Sequence, residues 1–255
     1  MSKSNDGPIG VMMRELTMWV DVGALMMDPA FYGIGVARGD RKPVVIIPGF
    51  MGNDFYLMPM LNWLHRIGYT PVRSSLNLSA GCLRRSCEEV KAQIDNHLSR
   101  GHRSVALIGH SRGGAVAWAL ASQMQEQVSH LILLGAGFPG FLRSIERGTH
   151  NIRLGELTRM LLQANKLSRR VLDPRCGFPS CECSFSDHAE RPLSQATELL
   201  SIYGSDDLVI PKEAKMFEGQ IMHVRTAHVG LVYHPEVYRI LGRFLAQNGN
   251  PVGRG

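Results

Sequence analysis

Residues 105–122 read VALIGHSRGGAVAWALAS. A short apolar run ends in glycine, and a helical pattern starts two residues later, so a strand over Ser104–Gly109 and a helix over Ser111–Met124 are expected. Ser111 stands at the junction and has two readings. Serine is a good helix N-cap, because its hydroxyl accepts a bond from the orphan amides of the first turn. The flanking Gly109 and Gly113 point to a second use. Glycines on both sides of a serine allow a strand to turn abruptly into a helix with the hydroxyl held outward, the G-x-S-x-G elbow of a nucleophile. Gly114, Ala115 and Ala117 keep the following helix thin where it nears its neighbours.

The chain on either side repeats the same alternation. PVVIIPGF (43–50) is a β-branched run closed by a Pro-Gly turn, and Leu57, Met60, Leu61, Leu64 and Ile67 follow at helical spacing. YTPVRSS supplies a second strand, Cys87–Leu98 a second helix, HLILLGA a further strand, ELLSIYG and IMHVRT two more, and Pro235–Ala246 a closing helix. Strands separated by helices call for a mostly parallel sheet covered on both faces. The fold class is therefore α/β, a doubly wound sheet of about six strands. The stretch 139–197 breaks the rhythm, with a helix around Leu154–Ser168 and a loop rich in Cys, Pro and Gly. It leaves the sheet at a carboxyl edge, where a cap belongs. The expected division is an N-terminal helical or irregular extension (1–41), a core in two parts (42–138 and 198–248), a cap insertion (139–197) and a flexible tail (249–255).

Composition limits the function classes. The 255 residues are 44% hydrophobic and 20% charged, as in a folded globular chain. The net charge is +6, yet Lys and Arg are scattered and form no stripe interleaved with aromatics, so no nucleic-acid partner is expected. No uncharged apolar run reaches the length of a membrane-spanning helix, and the N-terminus lacks a secretory pattern; a cytoplasmic protein without transmembrane insertion is expected. The Met-rich segment IGVMMRELTMWVDVGALMMDP (9–29) is expected to form an amphipathic helix that packs on the domain or covers a pocket. Cys82, Cys87, Cys176, Cys181 and Cys183 are read as free thiols, with a local disulfide or a metal in the 176–183 cluster as lesser alternatives.

A serine hydroxyl becomes a nucleophile only beside a base that a third group holds. SIYGSDDLVIP ends a strand on two carboxylates, and VRTAHVGLVYHPEV ends another on two histidines. Asp207 is the better acid by its place in the turn, with Asp206 its rival. His228, followed by Gly230, is the better base; His234 precedes Pro235 and suits the start of the last helix, and His110 is expected to support the loops. The oxyanion formed in acyl transfer needs amide donors. The amide of Arg112 is one, and the loop PGFMGND offers Phe50, with Met51 as the alternate. The Arg112 side chain is expected to pair locally, for instance with Asp54, or to lie at the surface, with recognition of an acidic substrate group as the lesser alternative.

Together VVIIPGFMGN, VALIGHSRGGAVA, SIYGSDDLVIP and TAHVGLVYHPEV resemble the α/β-hydrolase superfamily, in particular its bacterial serine lipase and esterase-like members. The resemblance covers residues 44 to 237. It implies Ser111 as nucleophile, His228 as general base and acid, Asp207 as the residue that orients it, and the amides of Phe50 and Arg112 as the oxyanion hole. The implied activity is cleavage of carboxylic esters by a carboxylesterase or lipase, through an acyl-enzyme and with no cofactor or metal. Met51, Phe55, Phe138, Phe141, Leu142, Leu208 and Val229 lie near strand ends and are candidates to line a pocket, so a small-molecule ester with an apolar portion is the expected partner. An acyltransferase using the same triad, or a non-catalytic small-molecule-binding relative, are the alternatives. Two departures stand out: Pro48-Gly49 replaces the His-Gly often found in the oxyanion loop, and no pair of leading strands is evident in residues 1–41.

Overall fold

Each buried strand of this chain is a short apolar run whose alternate side chains go to opposite faces. In the computed structural model, which describes residues 18–137, 156–174, 191–210 and 218–247, these runs pair as one parallel sheet. The strands are β1 (Pro43–Ile47), β2 (Thr70–Arg73), β3 (Val105–His110), β4 (Val128–Leu134), β5 (Glu198–Gly204) and β6 (Gln220–Val224), in the spatial order β2-β1-β3-β4-β5-β6. The expected six-stranded α/β architecture is thus observed. Pro71 has no amide to give a second neighbour, and β2 is an edge strand with one partner only.

The helices are α1 (Met18–Met27), α2 (Met58–Arg66), α3 (Leu83–Leu98), α4 (Arg112–Met124), α5 (Glu156–Leu172) and α6 (Pro235–Leu245). On one face Val44, Ile46, Ile108, Ile132 and Ile202 pack with residues of α1, α2 and α6, centred on Trp63 and Tyr238. On the other Val45, Ile47, Leu107, Leu131 and Leu133 pack with α3 and α4. Helix α3 starts four residues before the expected Cys87. Leu83, Cys87, Val90 and Ile94 are buried along one side, while Arg84–Glu88 and Arg85–Glu89 pair across the exposed side. Those charges mask the apolar spacing at the helix start.

The chain turns to β2 after β1, then returns past β1 to build β3 and the rest on its other side. Strand order reverses between β1 and β3, and a crevice opens outside the carboxyl ends of strands at such a point. The Ile47–Asn53 and Gly109–Gly113 turns lie there. Among the described residues no helix is long and apolar enough to cross a membrane. Cys82 and Cys87 form no disulfide, and burial pushes the Cys87 thiol up to about 12. Cys176, Cys181, Cys183, Phe138, Phe141, Leu142 and the tail 249–255 lie outside the described residues.

Candidate active site

The glycine pattern around Ser111 has a steric cause. A Cβ on Gly109 would sit 2.5 Å from the Gly113 carbonyl oxygen and from Gly114 Cα, and one on Gly113 would meet the carbonyl oxygens of Ile47 and Pro48. Strand and helix therefore approach as closely as backbone allows. Ser111 itself takes φ 53° and ψ −121°, a conformation that costs a residue with a side chain of order 1–3 kcal/mol. It occupies the N-cap position of α4, yet its side chain makes no capping bond. Its amide donates to Leu134 O at 2.8 Å, which ties the elbow to the end of β4.

Asp207 follows the end of β5, and its side chain is fully buried. Its Oδ1 accepts from the amides of Val209 and Ile210 at 2.8 and 3.1 Å, while its Oδ2 accepts from His228 Nδ1 at 2.8 Å. Burial alone would raise this carboxyl. The charge and bond of His228 and the two amides outweigh it and hold Asp207 below the usual carboxylate range. Asp206 is exposed, and its amide donates to Thr226 O at 3.2 Å. Of the two adjacent carboxylates, Asp207 is the one that meets His228.

His228 is buried in the loop after β6. Asp21 of α1 braces that loop from behind: its Oδ2 accepts from Thr226 Oγ1 at 2.5 Å and its Oδ1 lies 3.9 Å from His234 Nε2. His234 caps α6, its Nδ1 accepting from the Glu236 amide. The Met-rich segment thus packs on the domain through α1, as expected, with Leu25 in the core and Trp19, Val20 and Met27 facing outward. The part played by Asp21 had no signal in the sequence, because it stands 205 positions from Thr226.

The Arg112 side chain turns inward, contrary to the expected surface position, and away from Asp54. Its Nη1 donates to Ser79 Oγ at 2.9 Å and its Nη2 to Gly81 O at 2.6 Å. Asp54 instead accepts from Ser74 and from the Ser75 amide. Ser79 joins the same clamp, its Oγ donating to Pro48 O and its carbonyl accepting the Met51 amide at 3.1 Å. The amides of Gly49 and Gly52 are also committed, to Tyr56 Oη and to Gly49 O. Met51 stands at φ 59° and is 57% exposed, and Phe55 is 82% exposed. Leu208 is more exposed than Val229, and the two flank Asp207 and His228 in sequence.

Helix α5 crosses above this edge. Near its start Thr158 Oγ1 donates to Val209 O at 2.9 Å, beside the acid; near its end Ser168 Oγ donates to Ala80 O at 2.9 Å, beside the clamp. Asp173 closes the far end by accepting from the Cys82 amide.

No family model and no curated protein matches the sequence. Solved structures match the fold over most of their length. The chain is similar to a monoacylglycerol lipase of Paleococcus ferrophilus at 15% identity and TM-score 0.53, covering 82% of this chain and 96% of that one. It is similar to a polyneuridine aldehyde esterase at 13% identity and TM-score 0.54, covering 81% and 99%. A putative non-heme bromoperoxidase of Mycobacterium tuberculosis matches at 19% identity and TM-score 0.50, covering 82% and 93%. The chain has the α/β-hydrolase fold. The α/β-hydrolase fold hosts unlike reactions, so at these identities the likeness speaks for architecture and the chemistry rests on the site. What the site of this α/β-hydrolase fold contains is a buried His–Asp pair of the kind that serves in a catalytic dyad or triad, at the same sheet edge as a strained serine elbow.

Proposed function

We propose that the protein is a cofactor-independent serine ester hydrolase, a carboxylesterase or lipase, acting through Ser111, His228 and Asp207. The observation that carries this reading is the coincidence of the Asp207–His228 bond with the strained Ser111 elbow at one sheet edge. In this reading Ser111 Oγ attacks the ester carbonyl carbon while His228 Nε2 takes its proton, and Asp207 supports the imidazolium so formed. The tetrahedral oxyanion accepts from the amides of Arg112 and Phe50. The neighbouring Gly49, Met51 and Gly52 amides are already donated within the protein, which favours Phe50 over Met51. The intermediate collapses as His228 returns the proton to the departing alcohol. Water, deprotonated by the same histidine, then releases the acid and restores the serine.

The Arg112 guanidinium has no part in selecting an acidic substrate in this reading. Its bonds hold the clamp that fixes the oxyanion loop. The substrate is an ester with an apolar portion, held beneath α5, whose Leu157, Leu161 and Leu162 are partly covered in the same stretch as the anchored Thr158. The test is turnover of p-nitrophenyl esters of increasing chain length together with labelling by a fluorophosphonate. Ser111→Ala is expected to abolish labelling, and Ser111→Ala and His228→Ala each to reduce kcat by at least about 10³-fold. Undiminished turnover by the purified variants would refute the mechanism.

A further inference from the structure

Four groups near the elbow form a chain whose proton positions follow from elementary hydrogen-bond accounting. The Gly49 amide donates to Tyr56 Oη at 2.7 Å. Tyr56 Oη lies 2.9 Å from His110 Nδ1, and His110 Nε2 lies 3.3 Å from the carbonyl oxygen of His228. A carbonyl can only accept, so the His110 proton is on Nε2. The neutral ring then has a lone pair on Nδ1, and the Tyr56 hydroxyl donates to it while accepting from Gly49. The opposite tautomer would set a lone pair of Nε2 against the carbonyl oxygen and leave the tyrosine proton without that acceptor.

Every member runs in one direction only. Gly49 belongs to the oxyanion loop and precedes Phe50; His228 is the proposed base. Between them His110 is buried, and that burial together with the nearby His228 lowers its pKa to about 3, so it stays neutral. Tyr56 is held from its other side, where Tyr233 Oη donates to its carbonyl at 2.9 Å. A Cβ on Gly49 would stand 3.0 Å from His110 Nδ1 and 3.2 Å from Ser111 Cβ, which shows how closely this loop rests on the elbow.

We infer that Tyr56 and His110 are positioning residues, a single-tautomer relay that fixes the oxyanion loop and the base loop relative to each other. Their effect on catalysis rests on the ester-hydrolase reading above; the relay itself does not. Neither residue touches substrate in this scheme. Both act through the atoms that do: the Phe50 amide one residue beyond Gly49, and the His228 ring, whose backbone carbonyl His110 holds.

The experiment has a kinetic arm and a spectroscopic arm. With a p-nitrophenyl ester, Tyr56→Phe is expected to lower kcat about tenfold or more with KM changed less than about twofold, since it strands a donor and an acceptor without altering the pocket wall. His110→Leu is expected to show the same split, and His110→Gln, which can still donate toward the His228 carbonyl, to recover part of the loss. Thermal melts of all three establish that folded protein is compared. In the wild type, two-dimensional ¹⁵N spectra of the histidine rings are expected to show His110 as the Nε2–H tautomer, unchanged from pH 5 to 8. An Nδ1–H tautomer, titration in that range, or unchanged kcat in folded Tyr56→Phe would overturn the relay. If the wild type neither cleaves esters nor labels at Ser111, the hydrolase reading fails, and the tautomer still decides the relay.

Discussion

Ser111 combines a strained backbone with the proposed role of nucleophile in one residue. Its φ of 53° and ψ of −121° are held because Gly109 and Gly113, with no Cβ, let strand and helix close tightly around the turn and the Leu134 carbonyl accepts its amide. Ser111→Gly is therefore expected to raise stability by about 1 kcal/mol, or roughly 2–4 °C in Tm, while removing activity; a calorimetric scan of the variant checks both the sign and the size. The adjacent carboxylates offer a second contrast at this scale. Asp207→Asn replaces the acceptor of the His228 Nδ1 proton and is expected to lower kcat by about 10³–10⁴-fold, whereas exposed Asp206→Asn should stay within about twofold. Equal losses from the two would show that the pairing in the turn is not the one used in turnover.

At the level of elements, the site depends on loops that are tied to one another across the sheet edge. Arg112 and Ser79 bind the first turn of α4 to the Pro48–Gly52 loop, and α5 is anchored at Thr158 to the loop that carries Asp207 and at Ser168 to the residue after Ser79. Hydrogen bonds of this kind contribute about 1 kcal/mol each. The double variant Thr158→Val and Ser168→Ala should therefore speed amide exchange across 156–172 about tenfold or more, while the amides of β3 exchange as in the wild type. Exchange that stays unchanged in α5 would mean that its apolar contacts alone hold it down. Helix α1 plays the corresponding part for the loop that carries His228 through Asp21, which makes a helix far away in sequence a brace for that loop.

The whole molecule carries a pH dependence that the buried histidines set. Burial, with a nearby positive group in each case, lowers His110 to about 3 and His130 to about 4 from an ordinary value of 6.5. Between 6.5 and those values the unfolded chain binds more protons than the folded one, so stability is fully present above about pH 6.5 and is lost as pH falls toward 4. Asp207, held below 3.8, adds in the same direction at the acid end of the range. Melting temperatures are expected to be level above pH 7 and to fall steadily from pH 6.5 to 4. In the double variant His110→Gln and His130→Gln the slope should largely disappear; a slope that persists would assign the acid sensitivity to other groups.

The sequence by itself determined the order of strands and helices, the elbow at Ser111 and the two strand ends that carry an acid and a histidine. These are local properties: apolar periodicity, glycine at tight turns and the spacing of a motif all act within a few residues. Only the tertiary structure shows that Asp207, the carboxylate the sequence favoured over Asp206, meets the His228 ring, because adjacent residues of a turn point in different directions. It also turned Arg112 away from the surface and from Asp54, toward Ser79 and Gly81 of a different loop. The bracing by Asp21 and the junction at Tyr56 were not legible for the same reason. A hydrogen bond between residues 54 or 205 apart leaves no periodicity in the chain, and it exists only once the sheet has brought those loops to one edge.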